Sequence, residues 1–303
     1  MTTRLDGRVA IVTGAGAGLG RSHALLLAKQ GAKVVVNDPG GSVNGSGGDQ
    51  AAADRVVAEI RSAGGHAVAN YASVSDPQAA ADIVQTALDS FGKLDIVVNN
   101  AGILRDKSFA KMELADYETV LNVHLLGSVY VTKAAWPLLN AQKYGRIVVT
   151  TSVAGTNGNF GQTNYGAAKM ALLGFMNCLT IEGRKNNVLT NAISPSATTR
   201  MTEGLIDEER LKLMKPEFVS TAVAWLCSEQ CTDSGVIVAA GAGGYGRVAY
   251  FESKGVQFDP QQEVSVDMFD QAYAQIANMN DAQLSPIGVF GRMNERLKTA
   301  GLL

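Results

Sequence analysis

Short runs of β-branched residues alternate along the chain with longer alanine- and leucine-rich stretches whose apolar positions recur at helical spacing. Val9 to Thr13, Lys33 to Asn37, His66 to Asn70, Ile96 to Asn99, Gly145 to Thr150, Leu189 to Ser194 and Val236 to Ala239 read as strands. Each is shorter than a helix, mostly apolar or β-branched, and bounded by turn residues. Between them Gly20 to Gln30, Gln50 to Ala63, Asp76 to Phe91, Ala115 to Leu139, Tyr165 to Gly183 and Phe218 to Ser228 read as helices. Strands without polar alternation are buried on both faces, as in a parallel sheet covered by helices. The expected fold is therefore α/β, a doubly wound parallel sheet of seven strands over residues 1–244. Residues 245–303 carry aromatics such as Tyr250, Phe251, Phe269 and Tyr273, and read as a C-terminal extension packing on the main body or on a neighbouring subunit.

The chain has 303 residues, 46% of them hydrophobic, enough for one large core and an appendage. A net charge of -2 and the lack of any Lys/Arg run leave nucleic acid without a binding face. Cys178, Cys227 and Cys231 form no disulfide framework, and His23, His66 and His124 are too dispersed for a zinc site, so no metal is expected. The N-terminus has no signal-type apolar region, no window reaches a membrane span, and Ala300-Gly301-Leu302-Leu303 is not a peroxisomal address. A cytoplasmic protein is expected. Pro39 to Gly48 is rich in glycine and reads either as a surface insertion or as a flap over the adenosine end of a cofactor.

Chemistry gathers at two places. Thr13-Gly14-Ala15-Gly16-Ala17-Gly18-Leu19-Gly20 follows the first strand and opens a helix, so its amides and the helix N-terminus suit a pyrophosphate. The second strand ends at Asp38, where a carboxylate binds ribose hydroxyls and repels a 2′-phosphate. Ala17 and Pro39 offer no cation to attract that phosphate, so NAD is favoured over NADP. The fifth strand delivers Ser152 into a loop, and Tyr165 and Lys169 follow one helical turn apart, on one face. An ammonium beside a phenol favours the phenolate, which makes Tyr165 a candidate base.

Over residues 7 to about 244 the chain resembles the short-chain dehydrogenase/reductase family, through Thr13 to Gly20, Asn99-Asn100-Ala101-Gly102, Ser152 and Tyr165-x-x-x-Lys169. Val35 to Gly41, Gly102 to Asp106, Lys143 to Ile147 and Gly158 to Gln162 look like one branch. That branch is the (3R)-hydroxyacyl-CoA dehydrogenase domain of peroxisomal multifunctional enzymes, also described as a 17β-hydroxysteroid dehydrogenase, with bacterial steroid-degrading relatives. The resemblance implies a Rossmann-type sheet. It makes Tyr165 the general base in oxidation, Ser152 a hydrogen-bond partner of the substrate oxygen, and Lys169 a ligand of the nicotinamide ribose that lowers the Tyr165 pKa. Gly14, Gly18, Leu19, Gly20, Asp38, Asn100, Ala101, Gly102 and Pro195 would line the cofactor.

Three positions depart from the family pattern. The slot of the family's catalytic asparagine, counted back from Gly127, holds His124, which either bonds a backbone carbonyl or relays water, or else is an ordinary packed histidine. Asn122 lies about 200° round the helix and is not its substitute. Ser73 stands before Val74 where the family has an acidic residue at the adenine, and Pro195-Ser196 replaces Pro-Gly. Thr202 to Lys215 reads as a charged substrate lid. The resemblance implies a homodimer or homotetramer acting on a small-molecule substrate, a (3R)-hydroxyacyl-CoA or a 17β-hydroxysteroid, steroid side-chain CoA thioesters included. An NADPH-dependent 3-oxoacyl reductase and a catalytically silent cofactor-binding regulator are the alternatives.

Overall fold

The computed structural model describes residues 4–45, 47, 49–197, 209, 213–285, 287–288, 291–299 and 301–302. The expected lid at Thr202 to Lys215 lies outside them except at 209 and 213–215. Strands β1 (Val9–Thr13), β2 (Lys33–Asn37), β3 (His66–Asn70), β4 (Ile96–Asn99), β5 (Gly145–Thr150), β6 (Val188–Ser196), β7 (Ile237–Gly241) and β8 (Gly244–Val248) form one sheet. Its order is β3-β2-β1-β4-β5-β6-β7-β8. All pairs from β3 to β7 are parallel.

β1 to β5 coincide with the strands expected from sequence, whereas β8 was not expected. Ala242 and Gly243 both have positive φ, 48° and 78°, which is the two-residue turn that folds a strand back beside its predecessor. The segment Gly-Tyr-Gly-Arg-Val has no branched run to announce it.

Side chains alternate across the buried strands, and each face has its own core. Val12, Val34, Val36 and Val98 pack under helices with Leu27, Ile60 and Val223, while Ile11, Val35 and Val97 face Ile83, Val131 and Leu139 on the other side. Each such side chain contributes roughly 1.5–3 kcal/mol through burial.

The covering helices are α1 (Gly18–Lys29), α2 (Ala51–Ser62), α3 (Pro77–Phe91), α4 (Leu114–Leu121), α5 (Gly127–Ala141), α6 (Val153–Thr156), α7 (Thr163–Gly183) and α8 (Pro216–Leu226). Asp76 starts α3 by accepting from the Ala79 amide at 2.7 Å, with Pro77 in the first turn. The one helix expected over Ala115 to Leu139 is instead two, joined by a π-helical turn, Asn122–Leu126. Among the described residues no helix is long and apolar enough to cross a membrane, and no cluster of three His, Cys, Asp or Glu could hold a metal.

At the N-terminal end of β5 the Tyr144 ring lies between the guanidiniums of Arg8 and Arg146, 3.6 and 4.4 Å from its centroid, and Arg8 pairs with Asp95 at 2.9 Å. That end is tied together by charge. The opposite end is open: β1 has β2 on one side and β4 on the other, so the strand order reverses there and leaves a crevice at the C-terminal ends.

The chain divides into two compact units, Met1–Arg247 and Val248–Leu303. In the second, β9 (Phe251–Glu252) and β10 (Gln283–Leu284) pair antiparallel beside α9 (Val266–Ile276), and the Ser253 hydroxyl donates to the Ile276 carbonyl at 2.6 Å.

Candidate active site

The glycine-rich turn is held from below by the chain that follows β4. Asn100 Nδ2 donates to the carbonyls of Thr13 and Gly14 at 2.9 and 3.2 Å, and the Asn100 and Ala101 amides donate to Thr13 Oγ1, both at 3.0 Å. A Cβ on Gly20 would stand 2.1 Å from the Gly14 carbonyl oxygen and 2.6 Å from Asn100 Nδ2. Only glycine lets α1 begin that close to the turn, which aims the helix N-terminus into the crevice. Gly14 and Gly18 both take positive φ, 64° and 55°, and Leu19 packs on the first core. Asp38, at the end of β2, is fixed by backbone: Oδ2 accepts from the Gly16 amide at 2.8 Å and Oδ1 from the Gly40 amide at 2.7 Å. The glycine turn, Asp38 and Asn100 to Gly102 therefore share one crevice.

Ser152 lies two residues past the end of β5 and caps α6, its Oγ accepting from the Ala154 amide at 3.1 Å while also bonding Tyr165. Tyr165 and Lys169 project from the first turns of α7. Lys169 Nζ lies 5.5 Å from the Tyr165 ring centroid and donates to the Thr150 carbonyl at 2.6 Å. His124 meets the same ring edge-on, centroids 5.1 Å apart. The π-helical turn brings it there, and its Nε2 sits 2.8 Å from the Ile103 carbonyl oxygen and 3.0 Å from the Ile103 amide nitrogen. One ring nitrogen serves one of these bonds at a time, according to tautomer. Nδ1 is buried without a partner.

Burial dominates the titration of this cluster. It lowers Lys169 to about 7. It pushes His124 well below its ordinary value, reinforced by the Lys169 charge and opposed by the Ile103 bond, so the imidazole is neutral at pH 7. Tyr165 is raised, first by desolvation, with the Ser152 bond lowering it and the Asp106 charge raising it further. The sequence reading expected Lys169 to lower Tyr165. The Lys169 charge is not among the causes that set Tyr165 in this structure, where the ammonium donates to the Thr150 carbonyl instead.

Other expected residues stand apart from this cluster. Pro195 lies near the end of β6, in register with Ala240. Val74 is 6% exposed and packs in the second core, and the Ser73 hydroxyl accepts from the Ser75 amide at 3.2 Å. Sequence reasoning passed over Thr13, the hydroxyl that joins the two loops, and Asn164. Asn164 is fully buried and its Nδ2 donates to the Arg105 carbonyl at 3.0 Å, immediately before Tyr165. Asp106 was missed as well, though Gln162 Nε2 bonds its Oδ2 at 2.7 Å. A polar residue next to a catalytic-type tyrosine was the available signal for Asn164. The other two are visible only once the loops are folded.

Comparison with known proteins accords with this geometry. A family model described as short chain dehydrogenase matches residues 8–210. The chain is 50% identical over 278 residues to a short-chain type dehydrogenase/reductase of Mycobacterium tuberculosis, covering 92% of this chain and 96% of that protein. The structure of full-length peroxisomal multifunctional enzyme type 2 from Drosophila melanogaster superposes with a TM-score of 0.81 at 41% identity, covering 98% of this chain, which spans 50% of that one. A 7α-hydroxysteroid dehydrogenase complexed with NADH and 7-oxo glycochenodeoxycholic acid gives a TM-score of 0.72 at 31% identity, covering 80% of this chain and 95% of that one. This chain belongs to the short-chain dehydrogenase family.

Proposed function

We propose that this oxidoreductase uses NAD to interconvert a secondary alcohol and a ketone on a lipid-derived substrate, a (3R)-3-hydroxyacyl-CoA or a 17β-hydroxysteroid. The observation that carries the reading is the meeting of Ser152, Tyr165, Lys169 and His124 beside a crevice with a glycine cradle at one end and the Asp38 carboxylate at its rim. The residues fit a dinucleotide. Gly14, Gly18, Leu19 and Gly20 present the helix N-terminus to its phosphates, Asp38 takes the adenosine ribose, and Asn100 to Gly102 and Pro195 flank the nicotinamide half, with Ser73 and Val74 toward the adenine. Bound NAD supplies the hydride acceptor and, when oxidised, a positive charge near the phenol.

The chain's own part is orientation and proton transfer. Ser152 Oγ hydrogen-bonds the substrate oxygen, Tyr165 Oη takes the hydroxyl proton, and Lys169 Nζ, anchored on Thr150, binds the nicotinamide ribose. His124 holds the Ile103 backbone against the Tyr165 ring. We read the assembly as a homodimer or homotetramer through α5 and α7, where Trp136, Asn140, Ile181 and Lys185 line a surface groove. Sedimentation of the whole chain tests that.

The deciding assay follows reduced-nicotinamide absorbance with NAD or NADP and a series of (3R)-hydroxyacyl-CoAs and 17β-hydroxysteroids. Acyl-CoA turnover with NAD places the protein with the peroxisomal branch, and turnover of steroids alone moves it to sterol chemistry. Activity with NADP alone overturns the reading of Asp38 and favours a 3-oxoacyl reductase. Tyr165→Phe is expected to lose roughly 10²- to 10⁴-fold in kcat while still binding cofactor. A wild type that binds cofactor yet turns nothing over would be the silent regulator.

A further inference from the structure

The glycine-rich loop after β2 is tied at both ends of its length. At the neck the Asp49 amide donates to the Gly40 carbonyl at 3.0 Å, next to the Gly40 amide that bonds Asp38. Compact loops closed at the neck are often functional. The tip is bonded elsewhere. The Leu104 amide donates to the Val43 carbonyl at 2.9 Å, and Arg105 Nε donates to the Asn44 carbonyl at 3.1 Å. Gly45, at φ +85°, lies so near Ile103 that a Cβ there would be 3.2 Å from its Cδ1. Because β1 stands between β2 and β4 in the sheet, the loop runs from the end of β2 to the segment after β4, across the mouth of the glycine-rich turn.

Arg105 is the junction. Its Nε holds the loop tip, its Nη1 donates to Asp116 Oδ1 of α4 at 2.9 Å, and its carbonyl accepts from Asn164, one residue before Tyr165. We propose that Arg105 is a positioning residue that pins the loop segment 40–45 as a strap across the dinucleotide crevice and slows release of the cofactor, a role that rests on the dinucleotide reading above. A dinucleotide held at Asp38 and at Asn100 to Gly102 spans the same crevice, so the bonds at the tip must open for it to leave. Retention by backbone carbonyls of the strap asks nothing of the loop's side chains, which suits so glycine-rich a segment.

The test is NADH release by stopped-flow fluorescence, with NADH affinity and the thermal midpoint measured on the same full-length proteins. Arg105→Lys keeps a cation for Asp116 but lacks the second donor for Asn44, and Gly45→Ala strains the tip at its positive φ. Each is expected to speed release about tenfold, the equivalent of ~1.4 kcal/mol, and the double variant no more than about tenfold, because both open the same contact. Asp116→Asn, which breaks the ion pair and leaves the Asn44 bond, is expected to change release less than about twofold. Unchanged release in Arg105→Lys and Gly45→Ala, or equal acceleration in Asp116→Asn, would overturn the strap. A wild type that binds neither NADH nor NADPH would overturn the dinucleotide reading itself.

Discussion

Tyr165 is a weak acid held in a place that makes it weaker, and burial and two neighbours decide how far. Burial raises it, the Ser152 hydroxyl lowers it by bonding the phenolate, and the Asp106 carboxylate raises it again. In the oxidative direction the base form is needed, so kcat/KM should climb with pH as Tyr165 loses its proton. Ser152→Ala removes the bond that favours the phenolate, and the climb is expected to move to higher pH, with kcat down about 10²-fold from the lost contact to substrate oxygen. Asp106→Asn removes a negative charge, and the climb should move to lower pH. Since Asp106 is exposed, that second shift should shrink as salt is added. Both shifts are read from pH profiles at low and high ionic strength, and a profile that ignores Asp106 would remove it from the site. The identities of Ser152, Tyr165 and Lys169 were legible in the sequence because their spacing is local to a strand end and one helix. The electrostatics were not, because burial is a property of the folded chain.

At the scale of elements, the strands announced themselves and the irregular pieces did not. Branched runs of strand length can fold only one way in a sheet covered on both sides, and β1 to β5 were read at their observed bounds. The π-helical turn at Asn122–Leu126 was invisible, since one extra residue in a helix leaves the 3.6-residue pattern nearly intact. Yet that turn sets His124 against Ile103 and Tyr165. Gly102 makes room for it: a Cβ there would lie 2.2 Å from His124 Cε1. Gly102→Ala should therefore displace the imidazole, costing about 1–3 kcal/mol of stability through overpacking. Turnover is expected to fall further than the stability loss alone explains, because the Ile103 bond and the ring contact go together. Denaturant titration beside steady-state kinetics checks this, and a stable, fully active variant would show that the histidine is merely packed.

For the whole molecule, the consequence of so much burial is a stability that depends on pH through groups buried in neutral form. His23 is completely buried between α1 and α8, bonded through Nδ1 to Ser220 Oγ at 2.7 Å, and burial lowers it from 6.5 to about 3. His124 is lowered in the same way. Between pH 6.5 and about 3 the unfolded chain binds a proton at His23 that the folded chain refuses, and below 6.5 the same holds at His124, so stability falls as pH drops. Lys169 acts on the other side of neutrality. Its value of about 7 lies below the ordinary 10.5, so the unfolded chain again holds the extra proton, and stability rises from pH 7 toward the alkaline range. Tyr165 opposes the rise only beyond its ordinary 10, where the unfolded chain loses a phenolic proton that the folded chain keeps. The thermal midpoint of the cofactor-free protein is thus expected to peak on the alkaline side of neutrality, between Lys169 and Tyr165. His23→Asn keeps a donor for Ser220 and cannot titrate, so its acid limb should be shallower by on the order of a few kcal/mol. Lys169→Met should flatten the rise above pH 7. Midpoints that peak below neutrality in the wild type, or limbs that both variants leave unchanged, would mean that these three groups charge without unfolding the core around them.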